Sequence, residues 1–234
     1  MVFAKVPLLL AAWYYFVRMH NPPHTAQSGE VLKVGWYQHL VSKAFPMTQQ
    51  IVASVFCLAE VATLLSSRYP NSHLSKHILT LSVNGVALPS PALTAPFIAG
   101  SIATIAASIL RLHCFRTLGR HFTFQLSVRD GHKLVTRGPY SIVRHPGYTT
   151  GFTAILGMSA VLASPGSWAR SCEWLHLPAG GKVLAGAWAL SSAYIFVVIK
   201  SRMNAEDTFL REYFGEEWEA YARRVPYQLV PPIF

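Results

Sequence analysis

The chain has 234 residues, a formal net charge of +10, 52% hydrophobic residues and only 13% charged residues. That is about half the charged share of an ordinary soluble domain, and with apolar runs of membrane length it points to a bilayer protein. The basic residues lie between apolar runs and not in a free basic arm, which excludes nucleic acid as the expected partner and favours an anionic membrane face.

Three cysteines, Cys57, Cys114 and Cys172, stand far apart without a CxxC pair, so neither a disulfide framework nor a zinc site is indicated. His73 and His77 have the i, i+4 spacing of a helical metal pair, but no third ligand stands nearby, and no metal is expected.

Five apolar stretches follow in chain order, at roughly residues 2–17, 47–66, 92–112, 150–163 and 183–199. They lack strand alternation, and backbone in lipid must bond to itself, so the expected fold is all-α, a membrane helical bundle of about five transmembrane helices. The first stretch has Lys5 ahead of an apolar core, as a signal peptide would. No small-x-small cleavage site follows, and Trp13, Tyr14 and Tyr15 are bulky, so it is expected to stay as a span. Glu60 falls inside the second stretch. An intramembrane acid is either part of a functional site or paired within the bundle.

Lys and Arg counts orient the spans. Residues 18–46 carry Arg18, Lys33 and Lys43; residues 113–149 carry Arg116, Arg120, Arg129, Lys133, Arg137 and Arg144; the tail carries Lys200, Arg202, Arg211, Arg223 and Arg224. With five spans these three segments share one face, which is therefore expected to be cytoplasmic. The two segments richest in motifs then lie on the same side and can build one site.

The first of these segments is the third loop. It ends in His132-Lys133-Leu134-Val135-Thr136-Arg137-Gly138-Pro139-Tyr140 and Arg144-His145-Pro146-Gly147-Tyr148. Gly-Pro and His-Pro fix backbone direction, and they alternate here with aromatic and cationic side chains. Such a loop either cups a flat, polar ligand or simply sets topology.

In the tail, Arg202 and Glu206 are i, i+4 at the membrane boundary. They form a local ion pair of about 0.2–0.5 kcal/mol, or else split, the arginine to an anion and the glutamate to a hydroxylated or cationic ligand. Phe209, Leu210, Tyr213, Phe214, Trp218 and Tyr221 then recur at helical spacing, an apolar stripe suited to an interfacial or packed helix.

From about residue 119 to 234 these residues resemble isoprenylcysteine carboxyl methyltransferases. The resemblance rests on His132-Lys133-Leu134-Val135, Tyr140, Arg144-His145-Pro146-Gly147-Tyr148, Glu206, Phe214-Gly215-Glu216-Glu217-Trp218-Glu219-Ala220-Tyr221 and Arg224-Val225-Pro226, in that order. It implies an enzyme using S-adenosyl-L-methionine to methylate the α-carboxylate of prenylcysteine in prenylated CaaX proteins. The expected location is the endoplasmic reticulum membrane, with membrane lipid around the bundle and the site facing the cytoplasm.

By the same resemblance Gln125, His132, Lys133, Leu134, Val135, Tyr140, His145, Pro146, Gly147, Tyr148 and Glu206 would hold the cofactor. Arg202 would hold the substrate carboxylate, with Arg144 as a second candidate. Residues 1–112 would form the substrate-access region and 113–234 the cofactor-binding region. Phospholipid N-methyltransferases and NADPH-dependent sterol reductases, which share parts of this pattern, are the alternatives.

Overall fold

The computed structural model describes residues 2–24, 43–83, 88–122, 131, 133–171 and 179–231. Over these the chain is helical, with no strand. Its helices are α1 (Val2–Met19), α2 (Phe45–Arg68), α3 (His73–Val83), α4 (Ala95–Leu118), α5 (Pro146–Leu162), α6 (Ala179–Phe214) and α7 (Glu216–Arg224). Short 3-10 turns occupy Gly119–His121 and Gly138–Ser141, and a single helical turn spans Trp168–Ser171.

The boundaries follow local chemistry. Helices α2, α4 and α5 each begin with a proline in the first turn, Pro46, Pro96 and Pro146, where the missing N–H costs nothing and φ is already helical. The fourth expected span therefore starts at Pro146 and not near residue 150. The fifth expected span and the start of the aromatic tail are one helix, because no Gly or Pro interrupts residues 187–214. That helix stops at Gly215, which takes φ 54°, a left-handed conformation glycine adopts without steric cost. The aromatic stripe is thereby divided between α6 and α7. Helix α3 lies in the stretch between the second and third apolar runs.

Helices α2, α4 and α6 (over Lys182–Phe214) are long and apolar enough to cross a membrane. Helices α1 and α5, of 18 and 17 residues, pack into the same bundle. Their side chains share one core with the others, including Leu9, Phe16, Phe56, Phe97, Met158 and Trp188. The tightest seam joins α4 to α5. A Cβ on Gly157 would lie 2.6 Å from the Thr104 hydroxyl, and one on Gly100 would lie 2.6 Å from the Gly157 carbonyl. Small residues let these two backbones touch, the usual basis of helix association in lipid.

Two polar clusters mark opposite ends of the bundle. At one end Lys5, fully buried, pairs with Glu60 at 2.7 Å. Its ammonium also donates to the carbonyls of Ser90 (2.7 Å) and Gly166 (3.1 Å), and the backbone N–H of Trp168 donates to Glu60 at 3.0 Å. Glu60 thus pins α2 to α1 and to the 164–168 turn: of its two expected roles, the structure gives it the paired one. At the other end lie the last turns of α1 and α4, the first turns of α2 and α5, and the C-terminal part of α6.

Candidate active site

Helix α6 explains how the site is held. At 36 residues it is about 54 Å long, against a hydrocarbon core of about 30 Å. It is thus longer than a span requires, and its C-terminal part brings Arg202, Glu206 and Asp207 against His145 and Tyr148 at the start of α5. A cavity opens between this part of α6, the 133–148 segment and the ends of α1, α2 and α4.

Of the site residues expected from the sequence, Lys133, Leu134, Val135, Tyr140, Arg144, His145, Gly147, Tyr148, Arg202 and Glu206 all line this cavity. Pro146 is buried in the first turn of α5 and shapes the backbone without lining the space. Gln125 and His132 lie outside the described residues.

The two sides meet through Tyr148. The Arg202 Nε–H donates to the Tyr148 hydroxyl at 2.6 Å, and that hydroxyl donates to Glu206 Oε2 at 3.0 Å. Arg202 is 8% exposed, so its end of this chain works away from bulk water, where charge-assisted bonds are strongest, while the Glu206 side chain is 30% exposed. Arg202 and Glu206 share a tyrosine between them, which orients each side chain toward the cavity.

The Asp207 carboxylate, one residue further along, faces the other way. It accepts from His145 Nε2 at 3.0 Å, from Gln228 Nε2 at 2.9 Å and from Arg144 Nε at 3.3 Å. The His145 Nδ1 is left 4.0 Å from Glu206 Oε2. The Arg144 Nη1 donates to the carbonyls of Val225 (3.0 Å) and Pro226 (2.7 Å). Its guanidinium also lies 5.9 Å from the Trp218 ring centre. The backbone N–H groups of Arg144 and His145 donate to Tyr227 and Gln228 carbonyls, both at 2.9 Å. Arg144, expected to hold a substrate carboxylate, here latches the C-terminal segment to the mouth of α5.

Tyr140 sits in the Gly138–Ser141 turn, and its carbonyl accepts the Tyr221 hydroxyl at 2.8 Å. Burial raises the Tyr140 phenol well above its ordinary range, so it remains a neutral donor. Below it, Arg111 of α4 donates to the carbonyls of Gly147 and Met19, the latter at 3.3 Å. A Cβ on Gly151 would lie 2.9 Å from the Arg111 Nη1, so glycine there leaves room for the guanidinium to pass.

Sequence reasoning missed Arg111, His20, Asp207 and Gln228. Arg111 gave a usable signal, since it is a cation inside an apolar run, the argument that was applied to Glu60. Asp207 and Gln228 gave none, because their partners are tens of residues away, and His20 gave none because only the fold sets it beside the cavity. The apolar wall comes largely from Phe45, Pro46, Phe152, Ile155, Ile195 and Ile199.

Comparison with known proteins agrees with this geometry. Residues 100–176 match the model described as the Isoprenylcysteine carboxyl methyltransferase (ICMT) family. Among similar proteins is the Probable protein-S-isoprenylcysteine O-methyltransferase of Oryza sativa subsp. indica, 32% identical over 128 residues, covering 54% of this chain and 56% of the relative. Protein-S-isoprenylcysteine O-methyltransferase B of Arabidopsis thaliana is 31% identical over 124 residues, 52% and 53% of the two chains. The Cobalt-zinc-cadmium resistance protein CzcN of Cupriavidus metallidurans is 32% identical over 160 residues, 68% of this chain and 52% of that one. The chain spans about half the length of the curated relatives it matches. Arg202, Glu206 and Asp207 lie beyond the segment matched to the family model, on a helix that the fold brings against it. Over residues 100–176 the chain is thus similar to the isoprenylcysteine carboxyl methyltransferase family.

Proposed function

We propose that this protein methylates the C-terminal α-carboxylate of an isoprenylated cysteine, taking the methyl group from S-adenosylmethionine. The observation that carries the reading is the Arg202–Tyr148–Glu206 chain at the mouth of a cavity whose opposite wall is apolar. It offers an anion-holding cation, a carboxylate for a cationic or hydroxylated ligand, and greasy surface for a lipid tail.

The donor set fits the cofactor. Glu206 suits an ammonium or ribose hydroxyls, the Lys133–Val135 backbone and Tyr140 suit the polar edges of a flat ring, and Leu134 and Val135 suit its faces. Gln125 and His132 are assigned there by the family resemblance. When bound, the cofactor supplies a methyl group activated by a sulfonium.

The protein's own task is then positioning. A peptide α-carboxylate has a pKa of about 3.3–3.7 and is ionised at neutral pH, so no residue need remove a proton. Arg202 orients that carboxylate through directed N–H bonds, and Tyr148 keeps the guanidinium from turning away. Holding two reactants in line is worth several kcal/mol of barrier, and the apolar wall excludes the water that would blunt the nucleophile. We assign Arg144 to closing the site through its bonds to the C-terminal segment.

The membrane setting suits such a substrate. Each buried CH₂ of a prenyl chain favours lipid by about 0.8 kcal/mol, so the tail arrives through the bilayer while the cofactor arrives from water. We place residues 1–112 as the helices that admit the tail. The basic end that carries the site would face the cytoplasm of an endoplasmic reticulum membrane.

Thermal unfolding in detergent tests the cofactor class. S-Adenosylhomocysteine should raise the melting temperature, and NADPH should not. A shift with NADPH alone would replace this reading with a reductase.

A further inference from the structure

His20 stands immediately after α1, beside the cavity and outside every motif that carries the resemblance. Its ring lies 4.5 Å from the Phe16 ring and 6.2 Å from the Phe45 ring, centre to centre. Nδ1 is 2.8 Å from the Phe16 carbonyl oxygen. A carbonyl can only accept, so Nδ1 carries the proton.

The imidazole is neutral. Burial, reinforced by the Arg111 cation nearby, pulls its pKa down to about 3. In a neutral ring with Nδ1 protonated, Nε2 is an acceptor. No described residue bonds to Nε2, and it is not sealed inside the protein, because the ring borders the cavity. A polar acceptor placed among aromatic and aliphatic walls costs stability unless a donor meets it.

We propose that His20 is a substrate-reading residue whose Nε2 accepts a hydrogen bond from the backbone N–H of the substrate's C-terminal residue. This deepens the proposed methylation and rests on it. A prenylcysteine that ends a peptide carries three features within one residue: a lipid tail, an α-carboxylate and an amide N–H. The apolar wall suits the first and Arg202 the second. His20 belongs to the chain's N-terminal part and supplies the acceptor for the third. A prenylated acid without the amide offers no donor and leaves Nε2 unmet. The site thereby distinguishes a peptide terminus from a simple lipid acid, because an acceptor at the cavity wall favours the ligand that brings its donor.

The test compares two acids with the same tail and carboxylate: N-acetyl-S-farnesylcysteine, which has the amide, and S-farnesyl-3-thiopropionic acid, which lacks it. Methyl-ester formation is measured with wild type, His20→Phe and His20→Gln. Phenylalanine keeps the ring between Phe16 and Phe45 and removes the acceptor. Glutamine restores an oxygen near the position of Nε2.

Wild type should prefer the amide substrate in kcat/KM by about fivefold, the effect of one neutral hydrogen bond. His20→Phe should lose that factor on the amide substrate and stay within about twofold of wild type on the other acid. His20→Gln should recover part of the preference. Equal losses on both acids, or a wild-type ratio near one, would overturn the assignment. Binding of S-adenosylhomocysteine to each variant checks that the cofactor end is folded. If His20→Phe does not fold, the wild-type ratio and His20→Gln still decide. Wild type that esterifies neither acid would instead overturn the methylation reading and this assignment with it, a result distinct from methylation without discrimination.

Discussion

Removing the Asp207 carboxylate should loosen the cofactor end more than any charge change on the protein surface. In Asp207→Ala three donors lose their acceptor: His145 Nε2 at 3.0 Å, Gln228 Nε2 at 2.9 Å and Arg144 Nε at 3.3 Å. Their fates differ. Arg144 keeps the Val225 and Pro226 carbonyls, so its charge is not stranded. Gln228 is only half-buried and can reach water. His145, at 4% exposure, cannot. Leaving one buried donor unmet costs about 1–3 kcal/mol, and each bond lost to a group that finds water costs about 0.5–1.5 kcal/mol. The sum is roughly 3 kcal/mol, which for a chain of this size lowers Tm by about 6–12 °C. Differential scanning fluorimetry in detergent reads it. Asp207→Asn should lose less, since its amide oxygen still accepts from His145. A drop below about 2 °C in Asp207→Ala would refute the view that this carboxylate holds the 144–148 turn to α6.

Four further outcomes follow from other parts of the molecule. Arg202→Lys should cut turnover about ten- to a hundredfold with cofactor affinity little changed, because an ammonium lacks the planar fork that orients a carboxylate; near-normal turnover would remove Arg202 from the substrate. Glu206→Ala should weaken S-adenosylhomocysteine binding in titration calorimetry while Tm moves little, and unchanged affinity would take Glu206 out of the cofactor site. Gly157→Ala would set a methyl 2.6 Å from the Thr104 hydroxyl and 2.8 Å from the Gly100 carbonyl, so it should destabilise by about 1–3 kcal/mol, seen as a lower Tm. Lys5→Met strands the buried Glu60 carboxylate and should cost about 3–5 kcal/mol, whereas adding Glu60→Leu should recover most of that loss; the two melting curves compare them directly.

Much of the architecture was legible in the sequence because helices in lipid announce themselves by composition. All five apolar stretches are helices, and the sequence places Arg202 at the boundary where α6 leaves the bundle. The boundaries went wrong where one residue type decides them: Pro146 starts α5 earlier than hydropathy suggests, and Gly215 cuts the aromatic stripe. The site was legible as a set of residues and not as a network. The i, i+4 spacing of Arg202 and Glu206 allows either a direct ion pair or a split, and neither shows that Tyr148, some 54 positions from Arg202, stands between them. The charge of Arg144 is plain in the sequence, but its bond to the Val225 carbonyl, 81 positions away, is visible only in the packing. Glu60 is the mirror case, where an intramembrane acid turned out to face Lys5 across the bundle.

The proposed chemistry stands or falls on which atom receives the methyl group. Purified protein is incubated with S-adenosylmethionine labelled in the methyl group, together with N-acetyl-S-farnesylcysteine or, separately, phosphatidylethanolamine. The expected result is label on the farnesylcysteine alone, released as methanol by mild base, as an ester requires. Label that accumulates on the phospholipid amine and resists base would contradict carboxylate methylation and make the cavity that of an amine methyltransferase.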